Sequence, residues 1–484
     1  MSSRVSNIFY LSGFILSVAM QFLLNVNQAR AAGNVSPFED IERWQSLVAQ
    51  VQNDHGSYSH YLIEPYTQLA RAQLSGNRLE DARASVSKAI HNSRINNGLH
   101  SAEQIPLQKL AIEIDSMESD WTGVEEKLIA LVSLVTGRSE LKPKQVIEEL
   151  QWVSHTRELA VQEDTEDRLA VNIINTTILS EHMVVIAQRA ALTGTDFYLK
   201  LLHSLANQYY LETKAIIAGG NTSYKLRVTN LDLNFVDSHQ EAIEKRYLAG
   251  LDKLQMIQDL AGNPVALAFS ELNIADWKAM FNRSKDISAD YESVYEKFIH
   301  TSANLEQIDN FFATNKVLPV ANLQLDFYDH GGINLVYAAN TRSTTLPTTL
   351  PTTERSNTRN LVQVAELNKH LPGFENPRAR RENKDKLAGG WDTVRAEITL
   401  DPHKRKTIRG ADFQVKSFVT GNEIDIIDNG HIQGRQLRKT ASRVKALSFR
   451  PIIRGGKVEA STIVVDYLFR SDELYTGENL VVLR

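Results

Sequence analysis

The spacing of apolar residues divides the chain into two parts with different predicted structures. From about Pro37 to Phe312, apolar residues recur every three or four positions and prolines are few, a pattern typical of amphipathic helices. After Lys316 the pattern changes to short β-branched runs interrupted by glycine and proline. A chain of 484 residues also exceeds the size of one ordinary hydrophobic core. We therefore predict an α+β multidomain chain with an all-α body over 37–316 and a small strand-containing domain near the carboxy end.

One segment of the body has the pattern of two helices packed across a tight turn. Small residues stand where the helices would cross, and Gly76 stands near the turn, one residue earlier than in the repeat family that the segment resembles. That family is the tetratricopeptide repeat, and the resemblance implies an all-α helical-repeat solenoid whose concave surface binds a partner. The positions that carry the pattern are Tyr66, Leu69, Ala70, Leu74, Gly76, Leu79, Ala82, Val86, Ala89 and Ile90.

A similar helix pair is predicted about 42 residues later, and two more follow. The alignment places Leu69 with Ala111, Ala82 with Val124 and Val86 with Leu128, and Trp121 takes the place of Leu79. Residues 196–217 are predicted to pair with 240–260, and 265–281 with 287–298. We interpret the aromatic residues of the last pair, among them Trp277, Phe281 and Tyr291, as packing core, because stripes at helical spacing are usually buried.

Residues 390–484 have the most specific pattern in the chain. The pattern predicts a hairpin with a strand at 411–418, a turn at 419–422 and a second strand at 423–428. A helix follows at 434–447 and ends at Phe449-Arg450-Pro451, because proline disfavours helical geometry in the residue before it. A turn at 455–458 and a long strand at 460–470 complete the predicted order. This ββαβ order resembles the carboxy-terminal domain of the energy transducer TonB and its periplasmic relatives. The matching positions are Phe413, Val415, Gly421, Ile424, Val444, Phe449, Pro451, Gly456, Val458 and Phe469.

The resemblance to TonB implies the fold of this domain and not its activity. TonB carries a Tyr-Pro segment before the hairpin that contributes to its contact with outer-membrane transporters, and the corresponding segment here, Trp391 to Arg409, lacks it. Energy transduction is therefore not inferred from the resemblance, since a fold by itself does not determine an activity.

A flexible linker is predicted over 317–389, between the body and the small domain. Residues 341–353 read TRSTTLPTTLPTT, in which proline holds φ and threonine disfavours helix, so this stretch is expected to be an extended tether. A charged run from Arg378 to Lys386 follows, and its basic residues are candidates for peripheral contact with anionic lipid headgroups, although most charge runs are simply solvated.

The first 31 residues are predicted to be a signal peptide. Arg4 precedes an apolar run from Ile8 to Leu24, and Ala29-Arg30-Ala31 has the small residues that signal peptidase requires. The alternative interpretation is an uncleaved anchor, because the run is nearly long enough to span a bilayer. Both place the remainder of the chain outside the cytoplasm, and the absence of cysteine favours a bacterial periplasm.

Neither a catalytic, a cofactor-binding nor a metal-binding residue is predicted. The thirteen histidines are scattered singly, and we interpret the most site-like group, Asp329-His330-Gly331-Gly332, as a turn. The sequence contains no Gly-x-Ser-x-Gly elbow and no phosphate-binding glycine loop. A net charge of -5 does not suggest a nucleic-acid partner.

These observations favour a non-enzymatic scaffold of the cell envelope that binds protein partners. The helical body would bind one partner and the tethered TonB-like domain a second, with the tether raising the effective concentration of the second contact. A first alternative is a TonB-type transport component that is anchored by its amino-terminal segment and engages an outer-membrane protein by strand addition. A second alternative is an envelope hydrolase with an unrecognised site.

Overall fold

The computed structural model describes residues 37–138, 140–163, 166–228, 238–313, 316–320, 323–327, 391–400, 412–419, 422–424, 448–470 and 482–483. Within these residues the chain is mostly helical, with thirteen α-helices followed by short and long β-strands. The contacts divide the chain into two compact units, 1–141 and 142–484. The predicted signal peptide, the Thr/Pro tether, the basic run and Asp329-His330-Gly331-Gly332 lie outside the described residues.

The described residues of the first unit form five α-helices, each packed on the next, and one short 3₁₀ helix. They are α1 (Pro37–His55), the 3₁₀ helix (His60–Leu62), α2 (Ile63–Ser75), α3 (Leu79–Asn97), α4 (Gln104–Met117) and α5 (Trp121–Thr136). The predicted packing positions are buried: Leu69, Ala82 and Val86 belong to one apolar core that also includes Ala111 of α4. Helix pairs therefore occur where the apolar spacing predicted them.

The turns of the two helix pairs in this unit have the same geometry 42 residues apart. Asn77 and Ser119 both have positive φ, 59° and 60°. The next residue donates its N–H to a carbonyl five positions back in each turn, from Arg78 to Gln73 over 2.8 Å and from Asp120 to Asp115 over 2.9 Å. In the first turn, the residue with positive φ is therefore Asn77, one position after Gly76. This accounts for the position of Gly76 one residue earlier than in the repeat family.

A buried carboxylate joins three helices of the first unit. Asp115 of α4 has a side chain that is 1% exposed, and it accepts hydrogen bonds from Arg83 of α3 at 2.9 Å and from Lys127 of α5. Two cations therefore compensate the buried charge, and successive helices are tied together by polar contacts as well as by apolar packing.

Eight helices lie in the part of the second unit that the structure describes. They are α6 (Pro143–Glu163), α7 (Glu166–Arg189), α8 (Asp196–Ala218), α9 (Gly220–Val228), α10 (His239–Asp259), α11 (Pro264–Met280), α12 (Ile287–Ile299) and α13 (Leu305–Phe312). Helix α8 packs on α7 and α10, and α11 packs on α10 and α12, so both predicted pairs are in contact. An ion pair with both side chains buried, Arg246 Nε to Glu212 Oε2 at 2.5 Å, joins α10 to α8.

A glycine permits the close approach of α10 and α11. A Cβ atom at Gly250 would lie 2.1 Å from Trp277 Cζ2. The indole fills this space and donates its N–H to the Tyr247 carbonyl over 3.0 Å. Trp277 is 1% exposed, so it is packing core as predicted.

The strands described in the carboxy-terminal region form three sheets. The strands are β1 (Lys316–Leu318), β2 (Trp391–Leu400), β3 (Asp412–Val419), β4 (Asn422–Ile424), β5 (Ser448–Arg450), β6 (Ile452–Arg454), β7 (Lys457–Glu459), β8 (Ser461–Arg470) and β9 (Val482–Leu483). Strands β4-β3-β2-β8-β9 form one antiparallel sheet, β1 pairs with β5, and β6 pairs with β7. The predicted hairpin and the predicted long strand correspond to β3-β4 and β8, whereas the predicted helix at 434–447 lies outside the described residues.

Two expectations about this region need correction. Residues 317–327 were assigned to the linker, but Leu318, Val320, Leu323 and Phe327 are buried, so this stretch is packed. Trp391–Leu400 was not assigned as a strand, yet β2 lies at the centre of the five-stranded sheet, between β3 and β8. Its alternation of Val394, Ala396 and Ile398 with polar residues was the signal that could have predicted it.

Candidate functional site

The segment 448–460, with strands β5, β6 and β7, lies against helices α11, α12 and α13 of the second unit. Phe449, Ile452 and Ile453 of the segment are 0–4% exposed. In the sequence pattern, Phe449 begins the Phe-Arg-Pro step that ends the predicted helix at 434–447. It is buried, but it lies in strand β5 and is paired with Val317 of β1. Strand β5 also contacts helix α11, so Phe449 lies near the helices of the second unit.

A buried ion pair joins this segment to the helices. Arg450 Nη2 lies 2.5 Å from Asp276 Oδ2, and Arg450 Nε donates to Asp276 Oδ1 over 3.1 Å. The two side chains are only 2% and 4% exposed. Such a two-point contact fixes the orientation of the guanidinium as well as its position.

The surroundings of Asp276 complete this ion pair. Tyr291 donates its hydroxyl to Asp276 Oδ1 over 2.8 Å, and burial together with this carboxylate raises the pKa of Tyr291 well above its ordinary value. The Arg450 guanidinium lies 5.5 Å from the centre of the Phe311 ring. Burial lowers the pKa of Arg450, but the Asp276 carboxylate outweighs this effect, so the guanidinium stays charged. The arrangement is therefore a charged anchor inside an otherwise apolar contact.

A second polar contact lies at the edge of the segment. Glu292 of α12 accepts a hydrogen bond from Lys457 Nζ at 2.8 Å and another from the Val458 N–H at 3.1 Å. The hydrogen bond from Lys457, opposed by partial burial, lowers the pKa of Glu292. Glu292 therefore contacts both a side chain and a backbone N–H of the segment.

Helix α7 presents a row of exposed apolar residues. Val171, Ile178 and Val185 are 44%, 50% and 36% exposed, and they stand at seven-residue intervals. Seven residues return a helix to within about 20° of the same direction, so the three side chains share one face over about 21 Å. The opposite side of α7, with Leu169, Ala170 and Ile173, packs in the core with α8, α9 and α10.

The length and apolar composition of α7 also meet the criteria for a membrane span. Among the described helices, the stretch Arg168–Arg189 is the one that is long and apolar enough to cross a bilayer, and 56% of its apolar window is buried. Thr176 and Thr177 donate their hydroxyls to carbonyls four positions back and are buried in the unit. Helix α7 therefore packs as a core helix, with one face exposed to solvent.

A cavity of about 230 Å³ lies between α6, α7 and α8. Its lining residues come from all three helices: Gln151, Ser154, His155, Glu158, Ser180, Met183, Leu201, Ser204 and Gln208. The sequence analysis did not predict this group, because its members are separated by up to 57 positions. The local pattern around each residue predicts a helix and does not predict which residues meet. Within the described residues, no group of three or more histidine or carboxylate side chains is arranged to hold a metal ion.

The positions that resemble TonB are distributed over several of the strands. Phe413 and Val415 lie in β3, Ile424 in β4 and Phe469 in β8, whereas Phe449 and Val458 lie in the segment docked on the helices. Gly421 and Val444 lie outside the described residues.

Searches of protein-family models and of curated protein sequences found no match to this chain.

Proposed function

We propose that this protein is a non-enzymatic scaffold of the bacterial cell envelope and that its helical units bind protein partners. In this proposal the amino-terminal segment directs export to the periplasm, the helix pairs are tetratricopeptide-like, and the strands near the carboxy end belong to a TonB-like module that engages a second partner. The exposed apolar row on α7 is the observation that carries the protein-binding role.

The row suits a protein partner for two reasons. Valine and isoleucine are poorer helix formers than alanine or leucine, so three of them on a solvent-facing side contribute little to the helix itself. An apolar row at seven-residue spacing is also the pattern by which one helix packs along another. Fully burying one such side chain contributes about 1.5–3 kcal/mol, so covering this row stabilises a complex.

The docked segment 448–460 is a second, independent observation that supports a role in binding protein partners. The helices of the second unit already hold a strand and a β-hairpin through an apolar core, one buried ion pair and a backbone contact to Glu292. The helical unit therefore has the kind of surface that a protein ligand requires.

Photo-crosslinking in cells tests the proposal. A crosslinking amino acid placed at Ile178 of the full chain is expected to capture a discrete protein partner, because this residue lies in the middle of the row. The matched control is the same crosslinker at Ile129, an isoleucine of α5 that is 58% exposed. Adding Val171→Lys and Val185→Lys should abolish the adduct at 178, since both charges would have to be desolvated in the contact.

Two outcomes would contradict the protein-binding role of α7. One is the same set of adducts from positions 178 and 129, which would indicate random collision. The other is an adduct at 178 that survives both lysine substitutions.

A further inference from the structure

The cavity between α6, α7 and α8 has an exposed mouth and a buried floor. Gln151 and Ser204 are exposed at the mouth, whereas Ser154, Glu158, Ser180, Met183 and Gln208 are buried. The apolar part of the lining comes from Met183 and Leu201. The floor therefore offers polar atoms at the end of a short entry, as small-molecule sites do.

Three polar side-chain atoms of this floor have no hydrogen-bond partner among the described residues. They are Ser154 Oγ, Glu158 Oε2 and Gln208 Oε1, and each belongs to a side chain that is buried. Buried polar atoms in proteins are nearly always paired, so three unpaired atoms around one cavity indicate a ligand that would pair with them.

The charge at the floor is negative and poorly compensated. The Glu158 side chain is 8% exposed, and a histidine nitrogen, His155 Nδ1, lies 3.7 Å from Glu158 Oε2 and is charged only when protonated. No lysine or arginine of the described residues forms an ion pair with Glu158, although buried carboxylates normally have such a partner.

The neighbouring amide adds a second acceptor. Gln208 Nε2 donates to Glu158 Oε1 over 2.9 Å. Because a carboxylate can only accept, the amide must turn its N–H toward Glu158, and its carbonyl oxygen is left unpaired. Two acceptor oxygens of the floor, Glu158 Oε2 and Gln208 Oε1, are therefore without a donor.

We propose that this cavity binds a small primary ammonium compound that carries a second polar group. The ammonium group would donate to Glu158 Oε2 and Gln208 Oε1 and would neutralise the buried charge, while Ser154 Oγ would pair with the second polar group. This inference goes beyond the proposed binding of protein partners and does not depend on it.

Calorimetry on the full chain tests the site with ethanolamine as the probe. Ethanolamine is expected to bind saturably with a stoichiometry of one, and Glu158→Gln should weaken the binding tenfold or more because the substitution removes the charge and keeps the shape. Ethylene glycol, which replaces the ammonium group by a hydroxyl, is the matched neutral probe and should show no saturable binding in the same concentration range.

A second variant keeps the test valid if Glu158→Gln alters folding. Ser204→Trp at the exposed mouth should block the entry, so it should abolish the binding of ethanolamine while the thermal midpoint stays unchanged. The proposal is overturned if ethanolamine gives no saturable heat, if either variant binds as the parent does, or if ethylene glycol binds as tightly as ethanolamine. The last result would identify a site for neutral polyols.

Discussion

Replacing Asp276 with alanine should release the segment 448–460 from the helices. The substitution leaves the Arg450 guanidinium, now 2% exposed, without its carboxylate in an apolar contact. A buried charge without a partner is strongly unfavourable. Arg450 can return to water if its segment undocks, so we expect undocking of the segment before unfolding of the helical unit.

The size of the effect follows from the loss of one partner of a buried ion pair. Such a loss costs about 3–5 kcal/mol, and every 1.4 kcal/mol changes an equilibrium about tenfold. The ratio of docked to undocked segment should therefore fall on the order of a hundredfold or more. The Phe449, Ile452 and Ile453 side chains oppose undocking, because they are at most 4% exposed and would enter water.

Hydrogen exchange measures this ratio at defined amides. The Val458 N–H, which donates to Glu292 Oε1 over 3.1 Å, and the amides of β5 and β6 should lose protection in Asp276→Ala, whereas amides in the core of α8 should keep it. Two controls belong to the experiment. Tyr291→Phe removes only the hydroxyl bonded to Asp276 and should cost about 1 kcal/mol. Arg454→Ala changes a side chain that is 65% exposed and should be nearly neutral.

A double substitution separates the charge effect from a packing effect. Combining Asp276→Ala with Arg450→Met removes both charges, and replacing a whole buried ion pair by apolar groups is often close to neutral. Protection of the segment should therefore recover in part. The reasoning is refuted if Asp276→Ala leaves the exchange of 448–460 unchanged, or if α8 loses protection to the same extent as the segment.

Two further predictions concern pH and export. Burial lowers the pKa of His203 from 6.5 to about 4, so this histidine should reduce stability only as the pH falls. Above pH 6.5 His203 is neutral in both the folded and the unfolded chain. Below pH 6.5 the unfolded chain binds a proton at this histidine and the folded chain does not, so the free energy of unfolding falls by ~3 kcal/mol by pH 4. Urea unfolding of His203→Gln should lack this part of the pH dependence, and an unchanged slope between pH 6.5 and 4 would contradict the assignment. If the first 31 residues are a signal peptide, amino-terminal sequencing of the protein released by osmotic shock should begin at or near Ala32; recovery only in detergent with an intact terminus would favour the anchor.

The helical part of this fold was largely predictable because its signal is local. Leu69, Ala82 and Val86 stand at the steps that place side chains on one side of a helix, and all three are buried. The hairpin and the long strand near the carboxy end could be predicted for the same reason. Strand β2 was not predicted, although Val394, Ala396 and Ile398 alternate with polar residues.

The candidate sites could not be predicted, because each of them is made by residues that are distant in sequence. Asp276 and Arg450 are separated by 174 positions, and nothing near Asp276 distinguishes it from an ordinary polar position of a helix. The same holds for Glu158 and Gln208, which meet only when α6 and α8 pack together. Exposure is likewise a tertiary property, since Val171 and Ile178 of α7 face solvent while Ile173 of the same helix is buried, and the three are chemically similar residues.

Local patterns in the sequence were enough to predict the helix pairs of the body, the β3-β4 hairpin and the long strand β8, since these depend on backbone preferences and on the periods of 3.6 and 2. The docking of Phe449 and Arg450 on the helices, and the enclosure of Glu158 by three helices, depend instead on tertiary packing. The physical reason is that a buried charge is tolerated only beside a partner, and which partner it meets depends on long-range packing that no local pattern encodes.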